Sequence, residues 1–360
     1  MEKPTVLGYM RDQPRALKAA LEQQEEFVTP FVEVFKKHSI KKVIFFGSGT
    51  SYNASVVAAY YFKQILHLDA IAQYPTVYQN YEVADWTNTL KKEEILFVGI
   101  SQSGTSRSTV EVMEFAKASG YITLALTEAL GSEITKHVDH VVHLLCGKEL
   151  TPPETRGYSV TILTLYLWSI AVAKQLGIFD AEKYAMALNE TKAFVDQFDV
   201  VIKESEEWYE RNKTTIINSD RIYVLGYGVD YGSVLEGMLK IGEMLRLPTI
   251  GYELEEYSHG PTMAITNRQT LLMIGSDDAE WNRMLLFRDT FKKYTDRVHL
   301  ITCMDTANDE RDIVFSVKTN KYLAPIMYTV PFQFISAKGA LDIGVDTNVN
   351  PFKEPLAHFE

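Results

Sequence analysis

One feature of this sequence restricts its fold most: the apolar runs of the first half return in the second half. Val43–Gly49 aligns with Ile222–Gly228 at an offset of 179 residues, and Gly99 then matches Gly275 at an offset of 176. Offsets that shrink along the chain indicate a second copy with shorter loops. The sequence therefore predicts an internal duplication and two domains of the same fold.

Each copy alternates short apolar runs with helical stretches. Runs such as KKVIFFG and EEILFVGI are rich in β-branched and aromatic residues, and a small-residue loop and a helical pattern follow each of them. This alternation is typical of a parallel sheet with helices on both faces. We therefore expect an α/β chain of two doubly wound, flavodoxin-like domains. The predicted divisions are a helical segment over residues 1–35, domains over 36–200 and 201–345, and a tail over 346–360.

Composition and charge narrow the class of partner. The chain has 360 residues, of which 46% are hydrophobic and 23% are charged, as in an average soluble protein. Its 36 Lys and Arg against 47 Asp and Glu give a formal net charge of −11, which disfavours nucleic-acid binding. No run approaches the roughly 18 apolar residues of a membrane span. Small-molecule partners are therefore expected.

The two cysteines indicate the redox environment. Cys146 and Cys303 are far apart, and each ends an apolar run, so we expect reduced buried thiols and a cytoplasmic location.

Two loops of the first copy carry groups that suit a phosphate. We call them loop 1 (Gly47–Ser51) and loop 2 (Ser101–Ser106), and they follow the first two predicted strands. In doubly wound sheets a ligand lies beyond the carboxyl ends of the strands. Loop 2 offers four hydroxyls, one amide and no lysine, a pattern that favours a phosphate monoester over a nucleotide. For either loop alone, the alternative is that Ser and Thr merely cap helices.

The second copy indicates which half binds phosphate. At the position aligned with loop 2 it reads Asp277–Glu280, and three of these four residues are acidic. Their charges would repel a phosphate. The sequence therefore assigns the phosphate site to the first copy only.

Three charges lie on an otherwise apolar helix of the second copy. At 100° per residue, Glu236, Lys240 and Glu243 fall within an arc of about 60°. Such a helix is expected to be buried, and a desolvated carboxylate beside a lysine suits proton transfer. An exposed ion-pair ladder is the alternative. Downstream, Gly260-Pro261 forces a turn, so that His259 is expected on a loop, either as an acid or base or simply solvated.

A histidine cluster in the first copy resembles a metal site only in spacing. His137, His140, His143 and Cys146 recur every third residue in a β-branched segment. On a strand this spacing sends successive side chains to opposite faces. We therefore expect no metal there, and no motif indicates a cofactor.

Six motifs in order resemble the double sugar-isomerase (SIS) domain family, which includes the isomerase half of glucosamine-6-phosphate synthase and stand-alone phosphosugar deglycases and deaminases. They cover almost the whole chain and read MRDQPRALKAAL, GSGTSYNA, SQSGTSRST, PPETRGYSVTI, EGMLKIGE and EEYSHGP.

The resemblance implies a role for each matched residue. The sugar phosphate would be bound by Ser51, Ser101, Gln102, Ser103 and Ser106, with Thr50 and Ser159 contacting the sugar. Glu243 would move a proton between C1 and C2, and Glu236 and Lys240 would complete the acid-base group. The family's matching histidine comes from the neighbouring subunit, so the resemblance implies a homodimer that shares His259.

The chain also departs from the family in three places. It begins Met-Glu-Lys with neither cysteine nearby, so a glutaminase nucleophile is not expected. Arg156 and Tyr158 stand where small or apolar residues are usual, and they either select a substituent or, for Arg156, pair with Glu154. The tail's only lysine is Lys353, which does not match the family's register.

These observations predict an enzyme that binds an aminated hexose 6-phosphate in the cleft between its two domains and releases the amine by proton transfer at C1 and C2. Deamination or deglycation is favoured over synthesis. A plain aldose-ketose isomerase, a noncatalytic phosphosugar sensor and a synthase subunit acting with a separate glutaminase are the alternatives.

Overall fold

The structure, a computed structural model, describes residues 5–306, 309–354 and 356–359. It divides into two compact units, each built on one parallel sheet. The first unit holds residues 15–149 and 156–192 and the tail from Pro351. The second holds the N-terminal residues up to Pro14 and residues 150–155 and 193–350. The units thus interleave along the chain, which a search for strands alone does not reveal.

The first sheet has the strand order β2-β1-β3-β4-β5, and the second has the order β10-β9-β8-β6-β7. All pairs are parallel. The strands are β1 Lys42–Phe46, β2 Asp69–Gln73, β3 Ile95–Ile100, β4 Ile122–Thr127, β5 His140–His143, β6 Arg221–Gly226, β7 Thr249–Glu253, β8 Gln269–Ile274, β9 Val298–Thr302 and β10 Ile313–Val314.

Helices connect the strands in both units. They are α1 Val6–Arg11, α2 Gln13–Glu22, α3 Glu25–Lys37, α4 Thr50–Leu66, α5 Pro75–Tyr81, α6 Arg107–Ala118, α7 Glu133–Lys136, α8 Arg156–Gln175, α9 Ala181–Asp196, α10 Phe198–Ile217, α11 Tyr231–Lys240, α12 Leu254–Ser258, α13 Trp281–Phe291 and α14 Ala324–Asp342. A π turn, Ile241–Leu245, continues α11, and short 3₁₀ turns lie at 92–94, 228–230 and 261–264.

The predicted fold class is confirmed. In each unit the first strand lies between the second and the third, which is the flavodoxin-like order. The turn after the first strand also repeats: Gly49 and Gly228, 179 positions apart, have φ angles of 56° and 58°. Only glycine adopts this region at no cost. The duplication is therefore visible in the backbone as well as in the sequence.

Two strands were not predicted from the sequence. β2 (DAIAQ) and β7 (TIGYE) are the edge strands beside β1 and β6, and most of their residues are only partly buried. By contrast, β3 and β4 are buried at every position. A half-exposed edge strand needs no continuous apolar run, so it lacks the signal by which its buried neighbours are found.

The strand register corrects one sequence alignment. Phe46 of β1 pairs with Gly99 of β3, whereas Leu225, the equivalent of Phe46, pairs with Met273 of β8. Gly99 therefore corresponds to Met273, at an offset of 174 residues. The alignment of Gly99 with Gly275 is wrong by two residues, because it matched glycines by identity while the hydrogen-bonded ladder fixes the true register.

The helix α8 forms the centre of the first unit. By length and composition it could cross a membrane, yet 94% of its most apolar window is buried inside the unit. Its Trp168 stacks on Phe31 with ring centroids 3.9 Å apart and donates a hydrogen bond to the carbonyl oxygen of Phe27 at 2.9 Å. These contacts are those of a core helix. Cys146 and Cys303 are buried, and neither forms a disulfide.

Candidate active site

Loops 1 and 2 lie side by side at the carboxyl edge of the first sheet. They follow β1 and β3, which are neighbours in the sheet. The hydroxyl oxygens of Ser48 and Ser108, at the start of α6, are 3.2 Å apart. The strand order reverses between β1 and β3, and ligands of doubly wound folds bind at such a point. The two predicted phosphate-binding loops are thus brought together.

Loop 1 turns tightly into α4. A Cβ atom on Gly47 would lie 2.6 Å from the carbonyl carbon of Ser51, so only glycine fits there. Thr50 is buried and Ser51 is half-buried at the start of the helix. The tight turn places the first amides of α4 at the sheet edge.

Loop 2 is held by a similar turn. Gly104 has a φ of 65° and donates a backbone hydrogen bond to the Oγ of Ser101 at 3.1 Å. Ser103 is exposed, and its Oγ accepts from the backbone N and the hydroxyl of Thr105 at 3.3 and 3.2 Å. Because both lone pairs of Ser103 are used within the loop, its own proton is available to a ligand.

The helix α8 packs its first turn against loop 2. A Cβ atom at Gly157 would lie 2.0 Å from the Oε1 of Gln102, so the glycine makes room for the buried amide. Ser159, two residues further along α8, is fully buried. The loop-2 residues and the helix that carries Ser159 are therefore adjacent within the first unit.

Replacing Gly157 by alanine should weaken phosphate binding. The added methyl group would displace the Gln102 amide, and the loss of one hydrogen bond to an anion should raise the Kd for inorganic phosphate about tenfold. Isothermal titration calorimetry measures the Kd, and the thermal unfolding midpoint, recorded in parallel, separates a local effect from a general loss of stability. An unchanged Kd would show that the position of Gln102 does not matter for binding.

Arg156 holds a loop of the first unit. Its Nη2 donates to the carbonyl oxygens of Gly147 and Lys148 at 3.0 and 3.3 Å, and the Oε1 of Glu149 accepts from the backbone N of Gly157 at 2.7 Å. Arg156 and Tyr158 are both buried. These contacts favour a structural role for Arg156 over the selection of a substrate carboxylate.

The C-terminal tail contacts loop 2, which the sequence did not reveal. Arg107 N donates to the carbonyl oxygen of Ala357 at 3.1 Å, and Phe359 N donates to that of Thr105 at 2.9 Å. The Nδ1 of His358 lies 3.3 Å from the Oγ1 of Thr105. Lys353, the tail residue singled out by sequence, is exposed. Since His358 and Thr105 are 253 positions apart, no local pattern predicts their contact.

Two of the three charges on the stripe of the second unit are buried, and Glu243 is exposed. The side chains of Glu236, Lys240 and Glu243 are 0%, 2% and 34% exposed. The Nζ of Lys240 lies 3.6 Å from the Oε1 of Glu236 and 2.6 Å from the Oε1 of Glu243. Lys240 and Glu236 therefore form a buried ion pair and not a rung of an exposed ladder.

The lysine of this cluster stays charged. Burial alone lowers the pKa of Lys240, but the carboxylates of Glu236, Glu243 and Glu154 outweigh it and raise the pKa above the usual value. Glu154 was considered in the sequence only as a partner for Arg156. Of the three carboxylates, Glu154 has the smallest effect on the pKa of Lys240.

A π turn carries Glu243. The helix α11 ends at Lys240, and Arg246 N then donates to the carbonyl oxygen of Ile241 at 3.2 Å, which is an i to i+5 bond. The predicted arc assumed a regular α-helix through Glu243. Such wider turns are rare and occur often at functional sites. Here the turn carries Glu243, which is the exposed carboxylate of the stripe, whereas Glu236 is buried.

The two copies are specialised in opposite ways. At the 179-residue offset, the first copy has Val57, Tyr61 and Gln64 in place of Glu236, Lys240 and Glu243. In the sequence alignment, the corrected register makes Gly275–Glu280 of the second copy equivalent to loop 2. Asp230 of the second copy is equivalent to Ser51. Each copy therefore carries only one of the two groups of candidate site residues.

Asp230 makes the second copy unsuited to phosphate. It is fully buried and accepts a hydrogen bond from the Oγ of Ser276 at 3.1 Å. Burial raises its pKa to about 7, against the lowering effect of Ser276. Near neutral pH this group is thus partly anionic where the first copy has a neutral hydroxyl.

Asp230→Asn should alter the pH dependence of stability. Between pH 4 and 7 native Asp230 holds a proton that the unfolded chain has released, so wild-type stability falls as the pH rises. A shift from 3.8 to about 7 corresponds to on the order of 4 kcal/mol. Urea denaturation at pH 5 and pH 8 should show a smaller loss for the variant. An equal loss in both proteins would contradict the burial of this carboxyl.

His259 does not join the carboxylate cluster within the chain. It is exposed and directly follows α12. Over the described ranges it makes no hydrogen bond or ion pair with Glu236, Lys240 or Glu243. In the same part of the chain, no group of three His, Cys, Asp or Glu residues could hold a metal ion.

Comparisons with known proteins agree with this geometry. The sequence pattern of the SIS domain matches twice, over residues 38–173 and 215–338. The chain therefore belongs to the SIS-domain family.

Among the relatives, glutamine--fructose-6-phosphate aminotransferase (isomerizing) from Caldanaerobacter subterraneus subsp. tengcongensis is 24% identical over 352 residues, or 94% of this chain and 56% of that protein. The chain spans about half the length of the curated relatives it matches. A candidate phosphosugar isomerase from Clostridium difficile 630 has a TM-score of 0.85 at 29% identity, covering 98% of this chain and 97% of that one. Glucosamine-6-phosphate deaminase from Thermotoga maritima shares the fold, with a TM-score of 0.76 at 20% identity over 97% of this chain and 98% of that one.

Proposed function

We propose that this chain is a phosphosugar enzyme that releases the amine of an aminated hexose 6-phosphate by proton transfer between C1 and C2. Both a fructosamine-6-phosphate deglycase and an amino-sugar phosphate deaminase fit this description. In this proposal loops 1 and 2 have the phosphate-binding role, and Glu243 has the proton-transfer role. The specialisation of the two copies carries the proposal, because neutral phosphate donors and a buried acid-base group occur in different repeats.

The electrostatics of the acid-base group favour an aminated substrate. Glu236 and Glu243 lie beside the single ammonium of Lys240. Two carboxylates against one lysine leave a net negative charge. A substrate ammonium group would be attracted to this charge, whereas a neutral sugar hydroxyl would gain less.

The chemistry needs only proton transfers and water. For a 1-amino ketose, Glu243 removes a proton from C1, and the electron pair forms a C1–C2 double bond while the oxygen on C2 takes a proton. The proton from Glu243 then returns to C2, which leaves an imine at C1. Water adds to the imine and the C–N bond breaks, which gives the free amine and an aldose 6-phosphate. Lys240, held charged beside Glu243, supplies the acid for the oxygen.

Two further features of the proposal come from the family resemblance. His259 opens the sugar ring from the neighbouring subunit of a homodimer, in agreement with its exposure after α12. The protein works in the cytoplasm, where its two buried thiols stay reduced.

A coupled assay tests the proposal. Fructosamine 6-phosphates with different amines, glucosamine 6-phosphate and plain hexose 6-phosphates are incubated with the full chain, and both free amine and hexose 6-phosphate are measured. We expect amine release from at least one aminated substrate. Conversion of only the plain hexose phosphates would instead identify an aldose-ketose isomerase.

The noncatalytic sensor is the rival from another class. A sensor has no use for a buried lysine between two carboxylates, since the desolvation cost of a buried ion pair can exceed its Coulombic gain. Tight binding of sugar phosphates without any turnover, by wild type and Glu243→Gln alike, would favour the sensor.

A further inference from the structure

The tail residue His358 contacts Thr105 of loop 2. The family resemblance gives this histidine no role. We propose that His358 is a positioning residue of the phosphate site: it orients a hydrogen-bond relay from its imidazole through Thr105 to Ser103, whose hydroxyl donates to the phosphate monoester. The inference deepens the proposed function and rests on it.

The direction of the relay follows from counting protons. The hydroxyl of Thr105 has one proton, and it donates that proton to the Oγ of Ser103 at 3.2 Å. Its contact with the Nδ1 of His358 at 3.3 Å therefore requires the proton of that contact to reside on Nδ1. The Oγ of Ser103 also accepts from Thr105 N at 3.3 Å. Every donor thus points the same way, and the last proton, on exposed Ser103, is left for a ligand.

The tail is seated by contacts independent of the imidazole. Two backbone hydrogen bonds flank His358, from Arg107 N to Ala357 O and from Phe359 N to Thr105 O, at 3.1 and 2.9 Å. The ring of Phe359 packs on the apolar core beneath β1 and β3, and the guanidinium of Arg107 lies 5.5 Å from its centroid. These contacts fix the backbone on both sides of His358, so that its side chain is held beside Thr105.

The relay suits an anion that only accepts hydrogen bonds. Loop 2 presents hydroxyl donors and the first amides of α6, and it contains no acidic residue. A phosphate monoester offers three acceptor oxygens and is favoured at a helix N-terminus. A donor chain that ends at Ser103 raises the strength of that one contact, because hydrogen bonds in a chain polarise one another.

Variants of His358 separate the relay from a mere structural role of the tail. The amide nitrogen of asparagine stands where Nδ1 stands and can donate to Thr105, whereas alanine cannot. In calorimetry with inorganic phosphate on the full chain, His358→Ala should raise the Kd about tenfold and His358→Asn by no more than about twofold. With a sugar phosphate substrate, KM should rise in His358→Ala while kcat stays unchanged.

A double-variant cycle gives the sharper result. If the relay ends at Ser103, His358→Ala should have almost no further effect on the Kd in a Ser103→Ala background. Additive losses, or equal weakening by His358→Asn and His358→Ala, would overturn the relay. Phosphate binding that is unchanged in His358→Ala would overturn the relay alone and leave the proposed function standing. A wild-type chain that binds no phosphate would overturn both.

Discussion

The Glu243→Gln variant is expected to lose amine release by about a thousandfold, the range that one general acid-base group contributes. Glutamine has the shape of glutamate but cannot take a proton from carbon. Glu243 is the most exposed member of the stripe and lies 2.6 Å from Lys240, so it is the carboxylate that a substrate can reach. Initial rates of amine release at saturating substrate measure the effect.

A matched control separates this loss from a general effect of removing a carboxylate. Glu207 is exposed on α10 of the second unit and pairs with Lys203 at 3.8 Å. Glu207→Gln should retain wild-type turnover, and Glu243→Gln should retain wild-type affinity for inorganic phosphate. A Glu243→Gln enzyme with more than about a tenth of wild-type activity would contradict the assignment of the base.

Lys240→Met is expected to destabilise the second unit strongly. Methionine fits the space but removes the ammonium that compensates Glu236, whose side chain is fully buried. Breaking a buried ion pair at one partner costs roughly 3–5 kcal/mol, because it leaves an uncompensated charge. Urea denaturation followed by tryptophan fluorescence measures the free energy of unfolding.

The combined variant tests the cause of that loss. Glu236→Gln together with Lys240→Met leaves no buried charge without a partner at Glu236, so most of the lost stability should return. The exposed Lys203→Met serves as the control for removing a lysine and should change stability by less than about 0.5 kcal/mol. Equal stability of Lys240→Met and wild type would mean that the cluster is solvated after all.

Strands with a continuous apolar run were predictable from the sequence, and the edge strands β2 and β7, which lack one, were not. The strands around Val43 and Ile222 are continuous apolar runs, and those runs determined the architecture. β2 and β7 lie at sheet edges, where side chains face solvent and the pattern disappears. The register of β8 was misplaced because it depends on backbone hydrogen bonds that residue identity does not record.

The candidate site was also predictable only in part from the sequence. Loop 2 and the stripe at Lys240 were found because their residue types are unusual for their positions in a sheet edge and an apolar helix. The π turn at Glu243 and the contact of His358 with Thr105 were missed. The first is a local departure from helix geometry, and the second joins residues 253 positions apart in the sequence. Neither leaves a periodic trace in the chain.

The central claim is that a proton moves between C1 and C2 before the amine leaves. Fructosamine 6-phosphate with two deuterons at C1, incubated with the full chain and followed by NMR, tests this claim most directly. The account predicts free amine and glucose 6-phosphate that carries a single deuteron at C1, since one C1 deuteron must be removed in every turnover. Release of amine with fructose 6-phosphate that keeps both deuterons would contradict it, because the C–N bond would then have broken without any proton transfer at C1.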